Sequence, residues 1–224
     1  MTASALVLDF GGVITRTLFE THDRTEAALG LAPGTLTWRG PFEPAGDPLW
    51  RSMQADEISE RDYWARRTRE VAALVGRNWT AMSDFVCAAR GDDGEAVVRP
   101  EAVDAIRRAK KAGFKLAILS NELDLFYGPE FRRRLAILDI FDSIVDATHT
   151  KILKPDPRAY ALCTGDLGVS ADDCVFVDDQ ERNIRGAIEA GMQAVHFDVL
   201  DPAASYTSVL DRLGLIAETR GDRQ

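Results

Sequence analysis

Leu6-Val7-Leu8-Asp9-Phe10-Gly11-Gly12-Val13-Ile14 is the stretch from which the fold can be read. The apolar run before Asp9 is too short for a helix and reads as a buried strand that stops at a carboxylate. Asp9 is thereby displayed at a strand tip. In open α/β sheets ligands bind outside the carboxyl ends of the strands, and a glycine pair lets backbone amides approach a ligand where a β-carbon would interfere. The same residues also suit a plain strand-ending turn. Company elsewhere in the chain has to decide between the two.

Three further stretches supply it. In Leu116-Ala117-Ile118-Leu119-Ser120-Asn121 a hydroxyl and an amide follow an apolar strand, as groups that either cap a helix or hydrogen-bond an anionic oxygen. In Lys151-Ile152-Leu153-Lys154-Pro155-Asp156-Pro157 a lysine precedes Pro-x-Pro, so its ammonium is aimed by a rigid extended turn, whereas Lys151 reads as surface charge. In Val175-Phe176-Val177-Asp178-Asp179 two adjacent carboxylates follow a buried strand. They either favour the next helix's N-terminus or repel one another until a hard divalent ion relieves them.

Between Arg99 and the C-terminus helical and strand patterns alternate, which implies βαβ units with right-handed crossovers. Expected strands are Lys115 to Leu119, Ile144 to Asp146, Cys174 to Val177 and Ala194 to Phe197. Expected helices run from Pro100 to a stop at Gly113, over Tyr127 to Leu135, after Pro157, from Asn183 to Gly191, and over Ser205 to Leu215, ahead of a frayed tail from Glu218. The fold class is thus α/β, a Rossmann-like doubly wound parallel sheet. The segment after Ile14 is different. It is rich in Trp, Arg, Glu and Pro, lacks strand-like runs, and reads as a mostly helical insertion with Ser59 capping one helix, a second over Met82 to Ala89, and a boundary at Arg90-Gly91-Asp92-Asp93-Gly94. The expected division is residues 1–15 and 95–224 as the core and 16–94 as the insertion, with Trp38, Trp50, Trp64 and Trp79 packing the latter.

The 224 residues carry a net charge of -9, which argues against nucleic acid and anionic membrane as partners and leaves a small-molecule substrate. Three cysteines, Cys87, Cys163 and Cys174, have no CxxC spacing and read as buried thiols. Neither a signal peptide nor an apolar span long enough for a membrane helix is recognisable, so the cytoplasm is the expected location. The sequence leaves the oligomeric state open.

As an ordered set, the four strand-tip stretches resemble the haloacid dehalogenase superfamily of hydrolases, outside the insertion, which resembles that family's mobile helical cap. The resemblance implies that Asp9 is the nucleophile, forming a covalent aspartyl intermediate that water hydrolyses. It implies Mg²⁺ held by Asp9, the Gly11 carbonyl and Asp178 or Asp179, Asp179 directly. Ser120, Asn121, Lys154 and the Gly12 amide would hold a phosphorylated substrate, with Asp9, Ser120 and Lys154 as the catalytic set. Tyr160 is expected to pack.

Two positions depart from the phosphatase pattern. The general acid usually found two residues after the nucleophile is replaced by Gly11, and a frequent threonine is Val13. Losing a positioned acid costs about 10²- to 10⁴-fold in rate. Glu20, His22 and Asp23 are candidates for a substitute. The dehalogenase branch also lacks that aspartate, needs no metal, and would use Arg39 as a halide contact. It usually carries uncharged residues where Asp178-Asp179 stands, so the expectation is a Mg²⁺-dependent phosphatase. A 2-haloacid dehalogenase or a catalytically weak binding member are the alternatives.

Overall fold

The computed structural model describes residues 3–91 and 95–216. The tail from Glu218 and the centre of the expected boundary at 92–94 therefore lie outside the described residues. Five strands form one sheet, β1 (Ala5–Leu8), β2 (Lys115–Ser120), β3 (Ser143–Asp146), β4 (Cys174–Asp178) and β5 (Gln193–His196), in the order β3-β2-β1-β4-β5 with every neighbouring pair parallel. Along the chain lie α1 (His22–Leu29), α2 (Pro48–Gln54), α3 (Glu60–Leu74), α4 (Met82–Arg90), α5 (Pro100–Lys111), α6 (Leu123–Arg132), α7 (Ala147–Thr150), α8 (Pro157–Leu167), α9 (Glu181–Glu189) and α10 (Pro202–Arg212). This is a doubly wound, Rossmann-like α/β fold.

Strand residues alternate between the two faces, as a two-residue side-chain period requires. Leu6, Leu8, Leu116, Ile118, Val175 and Val177 share a buried cluster with α5 and α10. Val7, Ala117, Leu119 and Phe176 share another with α8 and α9. Because the chain runs from central β1 outward through β2 to β3 and then crosses back to place β4 on the other side of β1, the carboxyl ends of β1 and β4 flank the crevice where such sheets bind ligands.

The segment between β1 and α5 contributes α1 to α4. Its buried side chains, among them Phe19, Trp38, Tyr63, Trp64 and Phe85, belong to the same cluster as Leu6 and Leu8, so the insertion packs continuously on the sheet's first layer. Asp47, fully buried, ties it together by accepting from Tyr63 Oη at 2.8 Å and pairing with Arg67 at 2.6 Å. Ser59 caps α3 in a reciprocal capping box with Asp62. Trp38 and Trp64 are buried and Trp50 and Trp79 pack against the cluster. Of the thiols, Cys163 and Cys174 are buried, while Cys87 is only half-buried on α4.

Three helix starts differ from the sequence reading, and α6 and α10 each end three residues earlier, at Arg132 and Arg212. α6 begins four residues before the expected Tyr127, because the Gly128-Pro129 pair interrupts it (Gly128 φ 74°) instead of starting it. α9 begins at Glu181, and α10 at Pro202, where the Asp201 carboxylate accepts from Ala204 N. No helix among the described residues is long and apolar enough to cross a membrane.

Candidate active site

Asp9 follows β1 directly, and its amide donates to the Val177 carbonyl at 2.8 Å, extending the β1–β4 ladder by one residue. This bond fixes the carboxylate at the sheet's rim. Ser120 ends β2, Asp178 ends β4, and Asp179 follows it. Asp9, Gly11, Gly12, Ser120, Asn121 and Lys154 all line one cleft, together with Asp179.

Lys154 is the electrostatic hub. Its buried ammonium donates to Asp9 Oδ1 and to Asp178 Oδ2, each at 2.6 Å. Burial alone would lower its pKa, but the two carboxylates outweigh burial and raise it, so the lysine stays charged. Asn121 explains how it is aimed. The Asn121 side chain accepts from Lys154 N at 2.7 Å and donates to the Lys154 carbonyl at 3.1 Å, clamping the backbone of the turn. Its amide is thus committed to the protein rather than offered to a ligand.

The two adjacent aspartates behave differently. Asp178 is fully buried and satisfied by Lys154, by Asn183 Nδ2 at 3.0 and 3.1 Å, and by Gln180 N at 2.8 Å. The Asp179 carboxylate accepts no hydrogen bond among the described residues, its backbone carbonyl alone meeting His196 Nε2 at 3.0 Å, and burial followed by repulsion from Asp178, Asp9 and Glu60 raises its pKa well above the usual value. Asp9 is pushed up to about 7 by burial against the pull of Lys154. Gly12 is what admits Asp179. Its φ of +83° suits glycine, and a β-carbon there would lie 2.8 Å from Asp179 Oδ2. This donor set, oxygen-only and short of positive charge, fits a hard divalent cation.

The loop of the first stretch is braced from behind. Arg99 donates through Nε to the Gly12 carbonyl at 3.0 Å and pairs with both carboxylate oxygens of Glu20 at 2.8 and 2.6 Å. Glu20 also accepts from Thr17 N and Oγ1. It is a structural anchor, and the substitute-acid expectation for it fails. The same holds for His22, which is buried against Trp38 with its Nδ1 facing Arg39, and for Asp23, which is exposed; neither lines the cleft. Arg39 points to His22 and not to the site, so the halide-contact expectation fails as well. Tyr160 packs edge-on against Phe176 and donates to the Asn183 carbonyl at 2.7 Å, as a packing residue should.

The sequence reading missed four charged residues on the cleft wall, Arg16, Glu60, Arg90 and Glu122. Glu60, in the first turn of α3, is held above its usual pKa by burial, only partly offset by Arg182 at 3.7 Å. Glu122 pairs with Arg61 at 2.6 Å, yet burial lifts it to about 7. Glu60 and Arg90 reach the cleft through the packing of α3 and α4, whereas Arg16 lies two residues past the first strand-tip stretch and Glu122 comes directly after Asn121. A further carboxylate–imidazole group, Asp124, Asp146 and His149, lies apart from the cleft, with Asp146 capping α7 through Thr148 N.

The family model for haloacid dehalogenase-like hydrolases matches residues 3–191. The chain belongs to this family. Among haloacid dehalogenase-like relatives, phosphatase MT3486 of Mycobacterium tuberculosis is 32% identical over 226 residues, covering 96% of this chain and 100% of the relative. The (S)-2-haloacid dehalogenase 4A of Burkholderia cepacia is 33% identical over 167 residues, 67% of this chain and 68% of the relative. The fold is shared with solved structures. L-2-haloacid dehalogenase from Xanthobacter autotrophicus has a TM-score of 0.56 at 21% identity, covering 87% of this chain and 77% of that one. A haloacid dehalogenase-type phosphatase from Thermococcus onnurineus has a TM-score of 0.53 at 20% identity, covering 87% and 86%. This member of the family is a hydrolase whose relatives include both phosphatases and dehalogenases.

Proposed function

We propose that the protein is a Mg²⁺-dependent phosphatase that acts on a small phosphorylated metabolite through an aspartyl-phosphate on Asp9. One observation carries this reading: Asp179, a carboxylate sunk beside Asp9 with no donor of its own, leaves the cleft short of exactly the kind of charge a divalent ion supplies. Burial and the neighbouring carboxylates disfavour the ionised form of Asp179, and a bound cation is what would relieve it, a role for which a metal-free dehalogenase has no use.

In this reading Asp9 and Asp179 hold the cation, with the Gly11 carbonyl as a further oxygen donor. When bound, Mg²⁺ offsets phosphoryl charge during transfer. An Asp9 carboxylate oxygen attacks phosphorus, the P–O bond to the leaving group breaks, and its electron pair departs with that oxygen. Water then attacks the acyl phosphate, releasing orthophosphate and restoring Asp9. Lys154 steadies Asp9 and presents positive charge to the phosphoryl oxygens, while Ser120 Oγ and the Gly12 amide orient them. Asp178 keeps Lys154 charged and in place, and Asn121 fixes its backbone. The inserted helices, with Glu60 and Trp64 on the cleft wall, act as the cap that shields the reacting centre from water.

The test is hydrolysis of an aryl phosphate with Mg²⁺, with EDTA, and with Asp9→Asn, beside halide release from a 2-haloacid. Metal-dependent phosphate release that Asp9→Asn reduces to background is expected. Halide release insensitive to EDTA would overturn the proposal in favour of the dehalogenase reaction.

A further inference from the structure

We propose that the cleft contains a second anion-binding subsite, formed by Arg16 and Arg90, and that the substrate's leaving group joins a flat apolar body to a carboxylate or similar anionic group. This rests on the phosphatase reading for the nature of the reacting end alone.

The charges of the cleft do not cancel where they stand. Lys154 is matched by Asp9 and Asp178, and Glu122 by Arg61. The neighbouring arginines follow the same rule, since Arg99 meets Glu20, Arg67 meets Asp47 and Glu70, and Arg182 meets Asp56 and Glu60. Arg16 and Arg90 break it. Arg16 Nη1 donates to the Ala96 carbonyl at 2.9 Å, and Arg90 donates to Thr21 Oγ1 at 3.1 Å and to the Arg16 carbonyl. These acceptors are neutral. They hold the guanidinium groups in position without neutralising them; Tyr127 and the charge of Glu20, a carboxylate already paired with Arg99, also favour the charged form of Arg90, but among the described residues no carboxylate forms an ion pair with either arginine. The Arg90 Nε is buried with no acceptor at all, and burial lowers the pKa of the side chain. A sequestered cation left in this state is costly unless an anion completes it.

Both arginines open on the same cleft as Asp9, so a bound molecule is the natural source of that anion. The planar guanidinium fork matches carboxylate and phosphate oxygens in a bidentate manner. The rest of the lining defines what connects the two ends. Phe19, Trp50, Trp64, Phe126 and Tyr127 contribute aromatic surface, which favours a flat apolar body over a polyhydroxylated one. The molecule as a whole is acidic, so two guanidinium groups without an ion-pair partner at the cleft also supply the local attraction that an anionic substrate needs against the overall field.

The experiment measures binding of benzylphosphonate and of its 3- and 4-carboxy derivatives to the full-length protein by calorimetry with Mg²⁺, for wild type, Arg16→Gln and Arg90→Gln. Hydrolysis of phenyl phosphate and of the matching carboxyphenyl phosphates is followed in parallel. At least one carboxylated phosphonate should bind about tenfold more tightly than the parent, as a charge-assisted contact implies, and either substitution should remove most of that advantage. Equal affinities in the wild type, or an advantage that survives both substitutions, would overturn the subsite. Should Arg90→Gln fail to fold, Arg16→Gln decides the matter. A carboxylate advantage in binding without phosphate release would leave the subsite standing and sink the phosphatase reading; phosphate release without the advantage would do the reverse.

Discussion

Gly11 and Gly12 are adjacent but not equivalent. A β-carbon on Gly12 would collide with Asp179, whereas one on Gly11 meets nothing within 4 Å. Space is therefore not what excludes an acid at residue 11. Gly11→Asp should fold normally and raise turnover of alkyl phosphates, whose leaving groups need a proton, by about 10²-fold, with a smaller gain on aryl phosphates. Parallel steady-state assays on the two ester types check this, and an equal effect on both would show that protonation of the leaving group is not limiting. Lys154 gives the second residue-scale prediction. Lys154→Met leaves Asp178 buried beside Asp9 with no cation, which should lower the unfolding free energy by about 3–5 kcal/mol in urea titrations. Asp9, Ser120 and the aspartate pair could be singled out in the sequence because each stands at the end of an apolar strand, and Lys154 because it immediately precedes the rigid Pro155-Asp156-Pro157 turn. That Asp178 serves Lys154 while Asp179 faces the cleft was not, since adjacent side chains diverge according to partners that folding brings to them, Lys154 among them. Nor could the sequence show that Asn121 spends its amide on the Lys154 backbone.

At the scale of elements, α3 is the helix that brings the insertion to the cleft. Its first turns carry Glu60, Arg61 and Trp64, and the Ser59 capping box sets where they begin. Ser59→Ala should cost about 1 kcal/mol of stability. Because the fraying reaches Glu60 and Arg61 first, it should also raise KM for an aryl phosphate more than it lowers kcat, which a Michaelis–Menten comparison would reveal. An unchanged KM would detach the start of α3 from substrate binding. Capping chemistry is local, so this helix start was legible in advance. The start of α6 was not, because the expected first residue Tyr127 lies within a helix already begun at Leu123 and interrupted at Gly128-Pro129. α1 likewise carries no strong apolar periodicity; its buried residues include His22, Thr25 and Glu26, and of these the Glu26 carboxylate accepts from Gly34 N at 2.9 Å and Leu36 N at 2.7 Å, while Thr25 Oγ1 and His22 Nε2 are buried without a hydrogen-bond partner among the described residues.

For the whole molecule, the parallel doubly wound sheet followed from the alternation of strand and helix patterns, while the strand order and the union of insertion and sheet layer in one apolar cluster are shown only by the structure. That union makes His22 a lever on global stability. Burial and the nearby Arg39 lower its pKa from 6.5 to about 4, so between these values the unfolded chain binds a proton that the folded one refuses. Folding stability should fall as pH drops through that window, by up to about 3 kcal/mol from this group, and level off below it. Unfolding free energies of wild type and His22→Phe at several pH values isolate the effect, and a difference independent of pH would refute a neutral buried imidazole. The thiols carry a consequence of another kind. Cys163 lies against the sheet and Cys174 on it, their acidities suppressed toward about 12 and about 11, whereas Cys87 is half-buried where α4 meets the Tyr127 carbonyl. The protein therefore has two chemical clocks built in: alkylation of Cys87 times the breathing of the helices over the cleft, and alkylation of the other two times the opening of the sheet itself.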